Sequence, residues 1–352
     1  MRIIARDHVS SKRSLLIRTL GILLALVTGA IFLAISGFDP FKALLSLVEG
    51  AFGTQKRIVE TVEYAIPLVI TSLGIALAFR IRFWNIGAEG QIIMGAVAAS
   101  YFALFHPEMP LIFLYPVMIL VSCIAGAVWA GIPALFKVKW GTNETLVTLM
   151  FNYIALQLLT FLQYNAWKDP AAHGFAKIAM FDERVLLPEV FGVNIGWIIA
   201  LVLIAAMYFF VGRSKAGYRL NVIGESVDTA RYAGIKVPQT ILLTVCAGGA
   251  MAGLTGFIQA LGVEHTINVN VSAGYGYTAI ITTWLARLKP INIGIVCLLF
   301  AGLIQGGEFI QTAYKIPNAA AQVFQGLILF FVLGCEFFLR YKVIFGKAKE
   351  AA

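Results

Sequence analysis

Polar side chains that could contact a dissolved molecule occur within apolar segments of the chain. The segment WNIGAEGQIIMG contains Asn85, Glu89 and Gln91 among its glycines. The segment GTNETLVTLMFNY contains Asn152, whose amide needs a hydrogen-bonding partner if hydrocarbon surrounds it. A neighbouring helix or a solute would supply that partner. These four residues are therefore candidates for a polar path through an apolar environment.

A third segment, GVEHTINVNVSAGYGYTAIITTW, is rich in Asn, Ser, Gly and Tyr. Short apolar segments interrupted by glycine are among the better sequence indications of a transport site. Tyr275, Tyr277 and Trp284 have rings that could stack on a flat or sugar-like solute. The alternative is that these rings belong to the aromatic belt at the membrane interface, which is the commoner use of Tyr and Trp in membrane proteins.

Structural interpretations also exist for the other two segments. The glycines around Glu89 would allow close helix packing, with Glu89 itself near the membrane interface. Asn143 and Glu144 have the order of an N-cap and a first-turn acid, which predicts a helix start there. Both interpretations remain open for Glu89, whereas Asn143 and Glu144 are predicted to be structural.

The longest polar interval, residues 212–240, predicts a short helix between two apolar spans. Ser226 suits the N-cap of a helix over residues 227–233, Asp228 lies in its first turn, and Gly234 suits a left-handed stop. An ordinary capped loop helix is one interpretation. A two-turn helix held between two spans is also well suited to transmit motion from a docked cytoplasmic partner.

Several classes of function lack their usual sequence features. No G-x-x-x-x-G-K-[S/T] loop is present, so ATP binding of that kind is excluded. Acidic and basic residues are nearly missing from the middle of the apolar spans, which argues against a carrier driven by an ion gradient. No catalytic constellation indicates a membrane enzyme, and the scattered Cys and His residues indicate no metal site. A pore-forming subunit energised by a partner fits best.

The composition predicts a helical membrane protein that positions these residues. Of its 352 residues, 60% are hydrophobic and only 13% charged, and the apolar residues form runs long enough to cross a bilayer. The fold predicted is an all-α polytopic membrane protein with about ten transmembrane helices in one domain, residues 1–352. The predicted spans are 17–36, 58–79, 84–105, 111–135, 144–163, 195–211, 240–262, 275–286, 291–305 and 318–339.

The positive charge is interpreted as a topology signal and not as a nucleic-acid site. With alternating spans, twenty of the 27 Lys and Arg residues fall on the side of the two termini. This predicts that the tails 1–16 and 340–352 and the 212–240 loop are cytoplasmic. The eighth and ninth spans are short, and we expect a hairpin whose turn, with Arg287 and Lys289, reaches the cytoplasmic surface. The alternative is a hairpin that re-enters from outside.

Four blocks of the chain together resemble one family. FWNIGAEGQIIMGA, GTNETLVTLMFNYIA, GYRLNVIGESVDTARYAGI and EHTINVNVSAGYGYTAI, in this order, are similar to the permeases of ABC importers for ribose-type sugars, branched-chain amino acids and nucleosides. The resemblance covers roughly residues 60 to 340. The NIGAEGQ block and the long fourth block look closest to the nucleoside, or simple-sugar, branch.

The resemblance implies a set of partners in the bacterial cytoplasmic membrane. It implies a second, related permease subunit, an ATPase that holds ATP-Mg and often has two fused nucleotide-binding halves, and an external solute-binding protein or lipoprotein. This chain itself would hold no cofactor. Nucleosides are the expected solute, because flat aromatic solutes would benefit from the Tyr-rich region, and ribose-like sugars are the alternative.

The resemblance also implies the residues that couple the permease to the ATPase. The family's coupling helix follows a Gly-Glu-Asn sequence, and Ser226 stands here where Asn is usual, another residue that caps helices. The coupling residues carried over to this chain are Gly224, Glu225, Ser226, Asp228, Ala230, Arg231 and Gly234.

Overall fold

The computed structural model describes residues 2–5, 11–35, 37–314 and 341–344, together with seven positions between 323 and 335. Its helices, in chain order, are α1 (Ser11–Ile35), α2 (Pro40–Phe52), α3 (Gln55–Arg80), α4 (Ala88–Phe105), α5 (Leu111–Trp140), α6 (Glu144–Phe161), α7 (Gly196–Arg213), α8 (Lys215–Glu225), α9 (Val227–Tyr232), α10 (Val237–Gln259), α11 (Tyr275–Leu285) and α12 (Pro290–Tyr314). Single π-helical turns, Leu162–Ala166 and Ala260–Glu264, follow α6 and α10.

Four short strands accompany the helices, so the all-α expectation needs a small correction. Strand β1 (Arg2–Ala5) pairs antiparallel with β4 (Tyr341–Ile344), and β2 (Glu189–Val190) pairs with β3 (Val193–Asn194). These strands have two to four residues, too few for a period-two pattern to stand out in the sequence. The predicted tails 1–16 and 340–352 therefore contain regular structure where they are described.

The chain divides into two compact units. One consists of residues 62–301, and the other consists of the described residues before and after that range. Every residue singled out from the sequence as a site candidate lies in the first unit. That unit alone positions the candidate site.

Seven helices of the described part of the chain are long and apolar enough to cross a membrane. They confirm the second to seventh predicted spans and the ninth, while α1 covers the first and α11 the eighth. The tenth, 318–339, lies outside the continuously described residues. The count of ten crossings and the cytoplasmic placement of both termini thus stay predictions.

Four predicted spans have bounds that differ from the helices by four residues or more. The first was expected from residue 17 and the fourth was expected to end at 135, but α1 begins at Ser11 and α5 continues to Trp140. The third was expected from residue 84, but α4 begins at Ala88 and the residues before it are not helical. The ninth was expected to end at 305, but α12 continues to Tyr314. A polar stretch beginning at Gln305 interrupts the apolar run, yet the helix tolerates it because Gln305 Nε2 donates a hydrogen bond to Glu60.

The 212–240 interval contains two helices and not one. Ser214 Oγ accepts a hydrogen bond from the Gly217 N–H at 2.8 Å and so caps α8, which the sequence analysis missed. Ser226 Oγ accepts from the Thr229 N–H at 3.2 Å, as its predicted N-cap role requires. Helix α9 ends at Tyr232, one residue before the prediction, and Gly234 has the expected positive φ of +75°.

A second missed helix is α2, in an interval treated as a loop. Asp39 Oδ1 accepts hydrogen bonds from the Phe41 and Lys42 N–H groups at 3.0 and 3.2 Å. Pro40 occupies the first helical position, where its missing N–H is harmless. The cap and the proline were readable signals of a helix start.

Close backbone contacts hold α4, α5 and α10 together as the core of the 62–301 unit. A Cβ placed on Gly95 of α4 would collide with the backbone of Gly253 in α10. A Cβ on Gly126 of α5 would collide with the backbone of Gly249, also in α10. Helices in lipid gain stability from such van der Waals packing, since burial of apolar surface gives little advantage there.

We therefore expect Gly95→Val to destabilise the protein by ~3 kcal/mol, because two main chains would have to separate to admit the side chain. The measurement is the apparent unfolding temperature in detergent. Gly212→Val is the matched control, since a Cβ at Gly212 would meet nothing within 4 Å. Equal unfolding temperatures for the two variants would contradict this description of the core.

Candidate functional site

The candidate site begins at a break in regular structure inside the predicted third span. Residues 81–87 are not helical and lead into α4. Thr148 Oγ1 of α6 accepts a hydrogen bond from the Ile86 N–H at 3.2 Å, and Asn152 Nδ2 donates to the Ile86 carbonyl at 2.9 Å. Irregular backbone within a membrane protein is stable where protein groups satisfy it. Helix α6 supplies those groups here.

Asn85 and Gln91 form a buried amide pair around the start of α4. Asn85 Nδ2 donates to Gln91 Oε1 at 3.3 Å, and Gln91 Nε2 donates to Asn85 Oδ1 at 3.1 Å. Asn85 Oδ1 also accepts from the Gly87 N–H at 2.9 Å. Both amides are 1% exposed, so their bonds within the chain replace contact with water.

Asn152 caps α4 from a different helix. The N-cap of α4, Gly87, has no side chain to offer, and Asn152 Oδ1 instead accepts from the Gly90 N–H at 2.9 Å. Asn152 Nδ2 also donates to Tyr277 Oη at 3.3 Å. The predicted need of this buried amide for a partner is therefore met by two helices of the same chain.

Glu89 caps α11 in the same manner. Its Oε1 accepts from the Gly274 N–H at 2.9 Å, and its Oε2 accepts from the Gly276 N–H at 2.8 Å. A carboxylate at a helix N-terminus satisfies free N–H groups and interacts favourably with the helix dipole. A Cβ on Gly276 would collide with the backbone of Glu89, so glycine is required for this approach.

Two helix N-termini, those of α4 and α11, therefore meet in one polar network. It unites five of the seven predicted path residues, namely Asn85, Glu89, Gln91, Asn152 and Tyr277. The carboxyl and amide groups are at most 8% exposed, whereas Tyr277 is 42% exposed. Tyr277 is therefore the one member of this network with a large exposed surface.

The side chains of the other two predicted path residues pack against other aromatic rings. Tyr275 is 4% exposed, and its ring lies 6.5 Å from that of Tyr64. Trp284 lies at the far end of α11 and stacks on Trp84, with ring centroids 5.4 Å apart, and it also contacts Phe79 at 5.5 Å.

The residues carried over as coupling residues form a surface on α8 and α9. Glu225, Asp228 and Arg231 are exposed, and Arg231 Nη1 contacts Asp228 Oδ1 at 3.2 Å. Ala230 is fully buried. A Cβ on Gly224 would collide with the carbonyl oxygen of Arg80, so this glycine brings the end of α8 onto the end of α3.

Three interactions of basic residues were missed in the sequence. Arg80 donates to Asn221 Oδ1 from Nη1 at 3.2 Å and to the Leu288 carbonyl from Nη2, although the sequence indicated only a topology charge. Lys137 forms an ion pair of 2.9 Å with Glu144. The capping role predicted for Asn143 is confirmed by the Thr145 and Leu146 N–H groups that donate to its Oδ1.

Known proteins resemble this chain over most of its length. The family described as branched-chain amino acid transport system / permease component matches residues 57–333. The glucose ABC transporter permease protein of Haloferax volcanii is 30% identical, over 92% of this chain and 88% of its own. The nucleoside ABC transporter permease protein of Lactococcus lactis is 29% identical over 91% of each chain. The guanosine ABC transporter permease protein of Bacillus subtilis is 27% identical over 96% and 97%.

Proposed function

Since the chain belongs to the family of permease components of branched-chain amino acid transport systems, and is the multi-pass permease subunit of an ABC importer, we propose that its solute is a nucleoside. Its relatives are transport components, and we propose the same role, without an enzymatic activity of its own, for this chain. Translocation would proceed by alternating access, driven by a partner ATPase. The observation that carries the choice of solute is the accessible ring of Tyr277 beside two converging helix N-termini.

The geometry favours recognition by stacking over recognition by hydrogen bonds. The polar groups of Asn85, Glu89, Gln91 and Asn152 already bond to each other, to Tyr277 Oη or to backbone groups. A solute that depended on them would have to break bonds inside the protein. The exposed face of Tyr277 is free of that cost, and a nucleobase is a flat partner for it.

The relatives support nucleosides and also define the alternative. Two of them are named as nucleoside or guanosine permeases, at 29% and 27% identity. The permease of Haloferax volcanii is named for glucose, at 30% identity, so a ribose-like or other simple sugar is the second candidate. Competition decides between them: uptake of labelled adenosine should fall with excess unlabelled nucleoside and stay unchanged with excess ribose or glucose.

The proposal includes the assembly around this subunit. The partners would be a second, related permease chain, a cytoplasmic ATPase that carries ATP-Mg, possibly on two fused nucleotide-binding domains, and an external solute-binding protein or lipoprotein. The exposed charges of Glu225, Asp228 and Arg231 would meet the ATPase. The location would be the bacterial cytoplasmic membrane, with α8 and α9 on the cytoplasmic face.

We expect Tyr277→Ala to raise the KM of nucleoside uptake about tenfold, because stacking of a base on an aromatic ring contributes ~1–3 kcal/mol. Tyr277→Phe should change it less than about threefold, since the ring stays and only the bond from Asn152 is lost. Initial rates of labelled adenosine uptake give both values. Tyr208→Ala, at an exposed tyrosine of α7, is the matched control. A KM for Tyr277→Ala equal to that of the control would refute the stacking role.

A further inference from the structure

We propose that Arg80 is a positioning residue that makes α11 follow the movements of α8 and α9. The inference rests on the proposed function, in which the ATPase moves α8 and α9. Arg80 is the last residue of α3 and is half-buried. It contacts α8 on one side and the α11–α12 turn on the other.

The guanidinium group of Arg80 connects two elements far apart in sequence. Its Nη1 donates to Asn221 Oδ1 of α8 at 3.2 Å, and its Nη2 donates to the carbonyl oxygen of Leu288. A guanidinium presents its donors in a rigid planar fork, so the two acceptors are held at a fixed separation. Movement of Asn221 therefore changes the force on Leu288.

The backbone of Arg80 is joined to α8 as closely as its side chain is. Gly224 lies directly against the Arg80 carbonyl oxygen, where any Cβ would collide. Leu220 and Ile223 of the same helix are 3% and 1% exposed, so α8 is packed and not loosely attached. A displacement of α8 would reach Arg80 through both contacts.

The α11–α12 turn is built to pass the displacement on. Arg287 and Leu288 both have left-handed backbone conformations, with φ of +53° and +58°. The Leu288 N–H donates to the Thr283 carbonyl at 3.2 Å, which ties the turn to the last helical residues of α11. Strained non-glycine residues persist where surrounding contacts determine them. Because these contacts hold the turn in one conformation, the turn should move together with α11.

The other end of α11 lies in the polar network of the candidate site. Glu89 holds the N-H groups of Gly274 and Gly276, and Asn152 contacts Tyr277. Leu285 lies eight positions after Tyr277, which is ~12 Å along the helix at 1.5 Å per residue. Helix α11 thus joins the contact of Arg80 at one end to the accessible ring of Tyr277 at the other.

The test compares Arg80→Gln with Arg82→Gln in the complete importer, reconstituted in proteoliposomes with its ATPase, second permease and binding protein. Arg82 lies two residues away, carries the same charge and is exposed, so both variants lose the same topology charge. The measurement is adenosine transported per ATP hydrolysed, with the unfolding temperature recorded for each variant.

We expect Arg80→Gln to lower the transport ratio at least tenfold while ATP hydrolysis stays within about twofold of the wild type. The unfolding temperature should fall by no more than a few degrees, because only the two hydrogen bonds of a half-buried group are altered. Arg82→Gln should keep the wild-type ratio. Arg80→Lys should rescue little, since one ammonium group does not reproduce the planar fork. Asn221→Ala, which removes one of the two acceptors, should give an intermediate ratio.

Two results would overturn the role of Arg80 but not the proposed function. One is a wild-type transport ratio in Arg80→Gln. The other is a parallel fall of its uptake, ATP hydrolysis and unfolding temperature, which would indicate a merely structural role. A wild-type complex without ATP-dependent adenosine uptake would overturn the proposed function first, and the inference with it. The two failures are distinguished by the wild-type measurement.

Discussion

Reversing both charges in the variant Glu225→Lys, Arg231→Glu is expected to reduce nucleoside uptake at least tenfold while ATP hydrolysis and membrane insertion persist. Glu225 is the last residue of α8 and Arg231 lies in α9, and both side chains are exposed. Exposed ion pairs such as Arg231 with Asp228 contribute only ~0–1 kcal/mol to stability, so the fold should survive. Like charges brought together at an interface cost several kcal/mol. Productive docking of the ATPase should therefore be lost.

Uptake and hydrolysis are measured together on the reconstituted complex. The matched control is Glu183→Lys with Arg184→Glu, which reverses two exposed charges in the segment between α6 and α7. The control should transport as the wild type does. Uptake unaffected by the double reversal at residues 225 and 231 would show that α8 and α9 do not transmit the work of the ATPase.

Removing the carboxylate of Glu89 is the second change with a large expected effect. In Glu89→Ala the N–H groups of Gly274 and Gly276 lose their acceptors in a buried position. Each buried N–H without a partner costs ~1–3 kcal/mol, so we expect a loss of ~2–6 kcal/mol. The first turn of α11, which carries Tyr277, should loosen, and uptake should be lost with it. Glu89→Gln keeps one acceptor oxygen, so its stability and uptake should lie between those of the wild type and those of Glu89→Ala.

The measurement is the apparent unfolding temperature in detergent, followed by uptake of the variants that fold. Glu108→Ala is the control, because Glu108 is exposed in the turn between α4 and α5. If Glu89→Ala unfolded at the temperature of Glu108→Ala, Glu89 would not be the cap of α11. Retention of full uptake by such a variant would also remove the network from the transport path.

The features of this fold that the sequence predicted are those determined by neighbouring residues. Asn143 and Ser226 cap helices whose first N–H groups lie two or three positions away. Gly234 ends its helix in a left-handed conformation that favours glycine. Apolar runs predicted the spans because a bilayer requires a minimum length. In each case the cause and its effect lie within one segment.

The features that the sequence did not predict join distant segments. Glu89 and Gly276 are 187 positions apart, and Arg80 and Asn221 are 141 apart. The sequence identified Glu89 as a polar residue in an apolar run. It left two roles open for Glu89, a place on the solute path or a structural place near the membrane interface. The structure adds a role as a cap on another helix, which depends on the packing of α4 against α11.

The helix bounds failed for a related reason. Residues before Ala88 are apolar enough for a span, but Thr148 and Asn152 hold their backbone in a non-helical conformation. Helix α12 continues past the polar Gln305 because Glu60 bonds to it. A hydropathy pattern does not contain these partners, so it placed the start of α4 too early and the end of α12 too soon.

We propose that this chain provides the route while another polypeptide provides the energy. The direct test is accumulation of labelled adenosine in proteoliposomes, with the chain alone or with its partner subunits. We predict accumulation against the gradient only with the ATPase present and ATP supplied. We predict none for the chain alone under a proton or sodium gradient. Accumulation by the chain alone, driven by either gradient, would contradict the account.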